Sequence, residues 1–305
     1  MIDIVSKRYW YFALSLLIIV PGLIALAVFG LPLAIDFAGG SVLELRFTGA
    51  IPSEDVLRAA YEQIGAEVTT VQSVESSGLQ IRSPEITDQQ RADMSAALRE
   101  QGYTFEEVQF SSVSASISEE VVRQAALTVG IATLGILLYL WYAFRQLPHA
   151  FRYGVAAIVA MLHDVLVVVG VTAIFGQFFG WQVDALFLTA LLTVIGFSVH
   201  DTIVVFDRIR ENRQRMRGAP YEIVVNSSIV QTLTRSINTQ LTAFFTLLAL
   251  ALFGGASIHQ FVITLIIGIA SGTYSSIFNA AQIMVVWENR EWRTWFRRRP
   301  AEQMA

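Results

Sequence analysis

Six long apolar stretches alternate with polar segments along the 305-residue chain. A helix needs about 20 mostly apolar residues to cross a bilayer, and each stretch is close to that length or exceeds it. The six stretches occupy residues 9–29, 122–144, 153–175, 184–206, 236–254 and 260–287. The pattern predicts a polytopic α-helical membrane protein with six transmembrane helices, here called spans 1 to 6.

The segment between spans 1 and 2 has the shorter periods of an aqueous domain. Four runs resemble β-strands, at residues 41–47, 67–74, 79–83 and 105–117. Two runs, 53–64 and 87–101, begin at Ser or Thr and stop before a glycine, which is typical of helices. The resulting order βαββαβ is that of a ferredoxin-like domain. We divide the chain into residues 1–30 (N-terminus and span 1), 31–121 (the ferredoxin-like domain), 122–287 (spans 2 to 6) and 288–305 (a basic tail).

The composition agrees with this division. Hydrophobic residues make up 54% of the chain and charged residues 15%, whereas soluble domains carry about 25% charged residues. The chain contains no cysteine, so disulfides, cysteine-based zinc sites and thiol catalysis are excluded. It also has no Walker motif, dinucleotide fingerprint or metal-ligand cluster. We therefore expect no catalytic residues, no metal, no cofactor and no enzymatic activity.

Basic residues define an orientation. Lys and Arg precede span 1 and follow spans 2, 4 and 6, whereas residues 176–183 and 255–259 contain none. By the positive-inside rule, both termini are cytoplasmic and residues 31–121 lie outside. Lys7 and Arg8 before an apolar run that contains Ala25 and Ala27 leave open a signal peptide instead of span 1. Residues 31–121 hold fifteen acidic residues against five arginines, which disfavours a nucleic-acid partner.

Ionisable residues interrupt three of the spans. His163 and Asp164 lie in the middle of span 3, His200 and Asp201 lie in span 4, and Arg235 lies at a similar depth at the start of span 5. A charge at the bilayer centre costs at least ~2.5–3.5 kcal/mol, so such groups usually pair or face water. We expect Asp201 to pair with Arg235, either as a static ion pair or as part of a proton path. His163 and Asp164 are compatible with a structural or a proton-conducting role.

Further polar and small residues follow helical spacing. Polar side chains in span 5 recur every three or four residues and predict one stripe, formed by Ser228, Thr232, Arg235, Thr239, Thr242 and Thr246. Gly268 and Gly272 form a small-xxx-small motif, which allows a neighbouring helix to approach closely within the chain or across an interface. The candidate proton-coupling residues are Asp201, Arg235, His200, Asp164, His163 and Thr239.

Several of these motifs resemble the SecD/SecF family of protein-export membrane proteins, and within it the SecF branch, in the resistance-nodulation-division superfamily. "IDFAGGSVLEL" at 35–45 is similar to the family motif that follows the first span, which points to Asp36, Gly39 and Gly40 near the outer membrane face. "LHDV", "IGFSVHDTIVVFDRIREN", "QTLTRSINT" and "IGIASGTYSSIF" resemble the family's spans 3 to 6. The family usually has Asn at the position of His200, so His200 either replaces an amide hydrogen bond or joins a relay.

The resemblance implies a function and a set of partners. It implies a subunit in the bacterial inner membrane that works with SecD beside the SecYEG channel, with YajC and YidC as further partners. It also implies that the proton motive force drives late translocation of unfolded polypeptides. One alternative is a proton-driven exporter subunit for lipids or small molecules, although such chains usually carry a second large outer domain. The other is an intramembrane aspartyl protease that uses Asp164 and Asp201.

Overall fold

A computed structural model describes residues 2–74, 77–145 and 149–293 of the chain. Its helices are α1 (Arg8–Phe29), α2 (Ile35–Ala38), α3 (Glu54–Gln63), α4 (Asp88–Glu100), α5 (Ala115–Ala143), α6 (Ala150–Phe179), α7 (Ala185–Arg215), α8 (Tyr221–Phe253), α9 (Ala256–Ser275) and α10 (Ala281–Glu288). Its strands are β1 (Gly40–Phe47), β2 (Thr70–Val74), β3 (Gly78–Ser83) and β4 (Phe105–Val113). Of the predicted basic tail, residues 294–305 lie outside the described residues.

Six helical segments of the described chain are long and apolar enough to cross a membrane. They are α1, α5, α6, α7 and α8, together with a composite sixth segment in which the π-helical turn Ser276–Ala280 joins α9 to α10. This result confirms the predicted polytopic helical fold. A π-turn inside an α-helix is rare and frequently marks a functional region.

The helices extend beyond the apolar runs that predicted them. Span 5 was predicted to begin at residue 236, but α8 begins at Tyr221, and α7 continues to Arg215. In the polar end of α7, Glu211 forms ion pairs with Arg208 and Arg215, three and four residues away. Such pairs stabilise a helix that no longer has an apolar face on every side. Hydropathy therefore located the membrane-spanning part and missed the polar helical ends.

The chain divides into two compact units. One, here called the sheet domain, consists of Pro32–Leu127 and Gln182–Ala185. The other, the helical unit, consists of the described parts of Met1–Leu31, Thr128–Trp181 and Leu186–Ala305.

The sheet domain has the predicted ferredoxin-like fold. Its four strands lie in the order β2-β3-β1-β4, and every neighbouring pair is antiparallel. Alternate residues of β1 face the core, where Leu43 and Leu45 are fully buried against residues of α3 and α4. The predicted last strand, 105–117, ends at Val113 because the Ser114 carbonyl accepts the first hydrogen bonds of α5.

The helical unit is held together by apolar packing and by close helix contacts. Its largest buried cluster includes Phe144, Tyr153 and Phe206, whose rings pack with centroids 5.2–6.1 Å apart. Elsewhere, Gly22 of α1 faces Gly170 of α6 so closely that a Cβ at either position would lie 2.8 Å from the other residue's Cα.

Candidate functional site

Asp164 is the centre of a buried hydrogen-bond network between α6, α7 and α9. Ser198, Ser271 and Ser275 each donate a hydroxyl to its carboxylate at 2.6 Å, and the Nδ1 of His163 lies 3.0 Å from Oδ1. A carboxylate offers about four acceptor positions, so these four contacts fill them. Since the Asp164 residue is only 1% exposed, this network satisfies a charge that would otherwise be costly to bury.

The close approach of α9 to α7 makes this network possible. A Cβ at Gly272 would lie 3.2 Å from the Cβ of Ser198, and a Cβ at Gly268 would collide with the side chain of Val194. The small-xxx-small motif therefore meets α7 within the chain. One turn further along, the Ser276 hydroxyl hydrogen-bonds to the Ser198 carbonyl at 3.1 Å and to Thr202 at 3.0 Å.

Asp201 lies in a different environment from Asp164. It is 3% exposed, and among the described residues one side chain hydrogen-bonds to it: the amide Nε2 of Gln240 on α8 donates to Oδ2 at 2.6 Å. The neighbouring His200 is exposed and points away from the buried side of α7. A buried carboxylate with a single hydrogen-bond donor retains acceptor capacity, and this free capacity distinguishes Asp201 from the saturated Asp164.

The ion pair predicted between Asp201 and Arg235 is not formed. No Arg or Lys nitrogen among the described residues lies within 4.0 Å of the Asp201 carboxylate, and Arg235 is exposed on the surface of α8. The reason is helical geometry, because Arg235 and Gln240 are five residues apart and point about 140° from one another.

The predicted polar stripe of span 5 divides into two. Residues spaced by exactly four form a buried row, which consists of Ser228, Thr232, Ser236 and Gln240. The remaining predicted members are exposed, namely Arg235, Thr239, Thr242 and Thr246. The prediction of a single stripe was therefore wrong. Arg235 follows Thr232 by three residues instead of four, so its side chain points away from the buried face of the helix.

The exposed row borders a groove on the helical unit. The groove has a volume of about 580 Å³. Its lining comes from α7, α8 and α9 and consists of Thr193, Phe197, Thr239, Thr242, Ala243, Thr246, Leu247, Leu265 and Ile269. Of the predicted candidates, Thr239 lies in this lining and not beside the Asp201 carboxylate.

The glycine-containing motif at residues 36–40 has a structural role within the sheet domain. The Oδ2 of Asp36 accepts a hydrogen bond of 3.0 Å from the backbone N–H of Ala185, the first residue of α7. Gly39 and Gly40 have φ angles of +73° and +107°, a region that favours glycine. A Cβ at Gly40 would also lie 2.6 Å from the Ser83 carbonyl oxygen. The motif thus allows a sharp turn between α2 and β1 and places a carboxylate at the start of α7.

An arginine fixes the same region. The Arg82 guanidinium on β3 donates to the Leu33 carbonyl at 3.2 Å and to the Gln182 side chain. Burial lowers the pKa of Arg82 from its usual value. Arg82 therefore links the sheet to the two chain segments that adjoin α1 and α7.

Sequence reasoning missed several of these partners. Ser198, Ser271, Ser275 and Gln240 are uncharged, so they carried no signal of their own. Ser198 lies three residues before Asp201, and Ser271 and Ser275 are separated by four, which is the spacing of one helix face. That spacing was a usable signal for a carboxylate-binding row in span 6.

The protease alternative finds no support in this geometry. An aspartyl protease needs two carboxylates that share a proton. Asp164 bonds to three serines and His163, whereas Asp201 bonds to Gln240, and neither carboxylate hydrogen-bonds to the other.

Two protein-family models match the chain. Residues 93–290 match the family "Protein export membrane protein SecD/SecF, C-terminal", and residues 24–51 match the "SecD/SecF GG Motif". The first match covers the membrane helices that contain Asp164, Asp201 and Gln240. The second contains Asp36, Gly39 and Gly40.

Curated relatives extend over the whole chain. The chain is 50% identical to the protein translocase subunit SecF of Thermobaculum terrenum over 100% of both chains, and 51% identical to that of Anaerolinea thermophila over 98% of each. It is 35% identical to the protein translocase subunit SecDF of Bacillus subtilis, over 95% of this chain but 38% of that protein.

Two solved structures have the same fold. The crystal structure of SecDF from Thermus thermophilus, described as a translocon-associated membrane protein, matches with a TM-score of 0.81 at 31% identity and covers 95% of this chain. The structure of SecDF in its super-membrane-facing form matches with a TM-score of 0.65 at 29% identity and covers 96% of this chain. The chain spans 39% of each of these SecDF chains.

Proposed function

The chain belongs to the SecD/SecF family of protein-export membrane proteins, and we propose that it couples proton movement through Asp201 to the export of polypeptides. Membership of this family makes it a multi-pass membrane subunit of the Sec export machinery. We propose the driving force, the residues that carry it, the orientation of the chain and the partners beyond SecD. No step requires bond chemistry on a substrate, so the proposed role is that of a transport subunit and not of an enzyme.

The observation that carries the proposal is the incomplete hydrogen bonding of Asp201. A group that binds and releases a proton must be tolerated by its surroundings in both the charged and the neutral state. Among the described residues, Asp201 has one side-chain donor, which is Gln240. Asp164, with its four contacts, suits the support of α6, α7 and α9. We therefore propose Asp201 as the proton-binding group and Asp164 with His163 as its buried support.

The membrane potential supplies enough free energy for such a role. One elementary charge that moves through 100 mV releases ~2.3 kcal/mol, which changes a two-state equilibrium about 50-fold. Protonation of Asp201 would remove its attraction to Arg235 and change the contact between α7 and α8.

We propose that SecD covers the face that contains His200, Arg235 and the groove beside Thr239. These residues are exposed in the isolated chain although they lie within candidate spans, and an arginine that faces lipid is costly. The SecDF relatives carry SecD and SecF sequences in one chain, of which this chain corresponds to about two fifths. A helix of SecD would bury Arg235 and complete the electrostatic surroundings of Asp201.

The distribution of basic residues supports an inner-membrane orientation in which both termini are cytoplasmic. The sheet domain would then lie outside, where it meets the emerging polypeptide beside SecYEG, with YajC and YidC as accessory partners. Reporter fusions after Gln101 and after Arg217 should report opposite sides of the membrane. If both reported the same side, this orientation would be wrong.

The proposal is tested by export into inverted vesicles that contain the chain with SecD, measured with and without an uncoupler. Asp201→Asn preserves volume but removes the titration, so gradient-dependent export should collapse while ATP-driven insertion persists. Arg235→Gln should reduce the same component. His200→Asn should have little effect; a large loss there would show that His200 belongs to the relay.

Asp207→Asn provides a matched control, because Asp207 is an exposed residue of the same helix, paired with Arg210 at 2.6 Å. It should leave gradient-dependent export at the parental level. An Asp201→Asn protein that assembles with SecD and retains full uncoupler-sensitive export would refute the proton role.

A further inference from the structure

We propose that Gln240 is a positioning residue whose side-chain amide turns over when Asp201 gains or loses a proton. In this scheme the amide donates to the charged carboxylate and accepts from the protonated one. The inference rests on the proposed proton-binding role of Asp201 and adds the residue that senses it.

The contact between Gln240 and Asp201 is short and enclosed. The Nε2 of Gln240 donates to Oδ2 of Asp201 at 2.6 Å, and the two residues are 8% and 3% exposed. The contact joins α7 to α8, so any change in it acts on the packing of two spans.

The other end of the amide is unsatisfied. The Oε1 of Gln240 is buried and has no hydrogen-bond partner within the part of the chain that the structure describes, and the same holds for the Oγ of Ser236. Ser236 precedes Gln240 by four residues, so the two side chains are neighbours on one face of α8. A buried unpaired acceptor is normally avoided. Because this acceptor belongs to an amide that contacts a carboxylate, a second amide orientation would give Oε1 a partner when the carboxylate is protonated.

The chemistry balances with one proton and no other reactant. A proton binds to Oδ2 of Asp201 and forms a carboxylic acid, whose O–H is a donor that requires an acceptor. Rotation of the Gln240 amide by 180° about its terminal bond brings Oε1 to that O–H and turns Nε2 toward Ser236. In the rotated orientation, the Ser236 hydroxyl, which has no partner among the described residues, would be available to accept from Nε2. Loss of the proton reverses each step.

The other titratable or charged groups of the described residues that bear on this pair come from α6, α7 and α8. His200 adjoins Asp201 on α7, Arg235 lies five residues before Gln240 on α8, and both are exposed. On α6, His163 hydrogen-bonds to Asp164, and Asp164 also accepts from the serine network. None of these groups hydrogen-bonds to Asp201, so the amide of Gln240 is its direct reporter.

The test uses the full chain in complex with SecD and compares two glutamines. Gln240→Met removes both hydrogen-bonding ends at similar length. Gln282→Met on α10 is the matched control, since Gln282 is also buried and also has an unpartnered Oε1, but its Nε2 lies 3.5 Å from the Ile277 carbonyl and not beside a carboxylate. Infrared difference spectra would follow the carboxyl band that Asp201→Asn abolishes, together with the amide band of isotope-labelled glutamine.

In the parental complex, the amide carbonyl band of Gln240 should shift with the same pH midpoint as the Asp201 carboxyl band. Loss of the amide removes a charge-assisted donor from the ionised state and a weaker acceptor contact from the protonated state. In Gln240→Met, Asp201 should therefore bind its proton about tenfold more tightly, and the midpoint of gradient-dependent export should move to higher pH. Gln282→Met should leave both midpoints at the parental value.

If Gln240→Met fails to assemble, Gln240→Asn replaces it, because an amide one methylene shorter loses the same contact. An unchanged midpoint in the Gln240 variant, or an amide band that does not respond when Asp201 titrates, would overturn the inference. If either result were obtained while Asp201→Asn still lacked gradient-dependent export, the inference about Gln240 would fail but the proton role of Asp201 would stand. If Asp201→Asn retained full gradient-dependent export, the proposed function itself would be refuted.

Discussion

Asp164→Asn and Asp201→Asn are the same substitution, yet we expect them to change the stability of the protein very differently. At Asp164, the asparagine Oδ1 would still accept from His163 and Ser271, but the Oδ2 position would become a donor, so Ser198 and Ser275 would lose their acceptor. Hydrogen bonds to charged groups contribute about 1.5–3 kcal/mol each, which sets an upper limit of about 3–6 kcal/mol for two bonds.

Part of that loss is recovered by rotation of the hydroxyls. Ser275 already lies 3.2 Å from the Gly272 carbonyl, and either serine can accept from the new amide. We therefore expect Asp164→Asn to lower the free energy of unfolding by about 2–4 kcal/mol. At Asp201, only the contact with Gln240 changes from charge-assisted to neutral, so the expected loss is at most about 1 kcal/mol.

Unfolding of the detergent-solubilised chain by a denaturing detergent, followed by tryptophan fluorescence and circular dichroism, measures the difference directly. Ser198→Ala serves as an internal check, because it removes one donor and should have a smaller effect than Asp164→Asn. Equal stability of the Asp164→Asn and Asp201→Asn proteins would refute the assignment of Asp164 as a structural centre. If Asp164→Asn remained fully stable but lost gradient-dependent export, Asp164 would have to be placed in the proton path.

Two further substitutions test other contacts. In Gly170→Ala the new Cβ would lie 2.8 Å from the Gly22 Cα. Overpacking costs about 1–3 kcal/mol and outweighs a gain of about 1 kcal/mol in helix propensity, so the melting temperature should fall. The control is Gly135→Ala, whose Cβ would meet no neighbouring atom within 4 Å and which should not lower the melting temperature. Asp36→Ala removes the carboxylate that accepts from the Ala185 N–H, which should lower the local stability by about 1 kcal/mol. Amide hydrogen exchange at the start of α7 should then be about fivefold faster. Asp36→Asn keeps an oxygen at this position, so its amides should exchange near the parental rate. A melting temperature for Gly170→Ala at or above that of Gly135→Ala, or unchanged exchange in Asp36→Ala, would contradict these contacts.

The fold was largely accessible from the sequence because it rests on hydrophobic periodicity. Each of the six spans corresponds to an observed helix, and the βαββαβ order of the sheet domain was predicted correctly. The errors lie where hydropathy gives no signal. The start of α8 at Tyr221 is helical through polar residues, and the π-turn Ser276–Ala280 depends on local hydrogen bonding that no pattern of apolar residues encodes.

The candidate site was only partly accessible, because charge is visible in a sequence and hydrogen-bond partners are not. Asp164, Asp201 and Arg235 stood out as ionisable residues in apolar runs. The pairing of Asp201 with Arg235 was predicted from their depth in the membrane alone, which ignores the direction of each side chain around its helix axis. Since 100° separates successive residues, Gln240 faces Asp201 while Arg235 at similar depth does not.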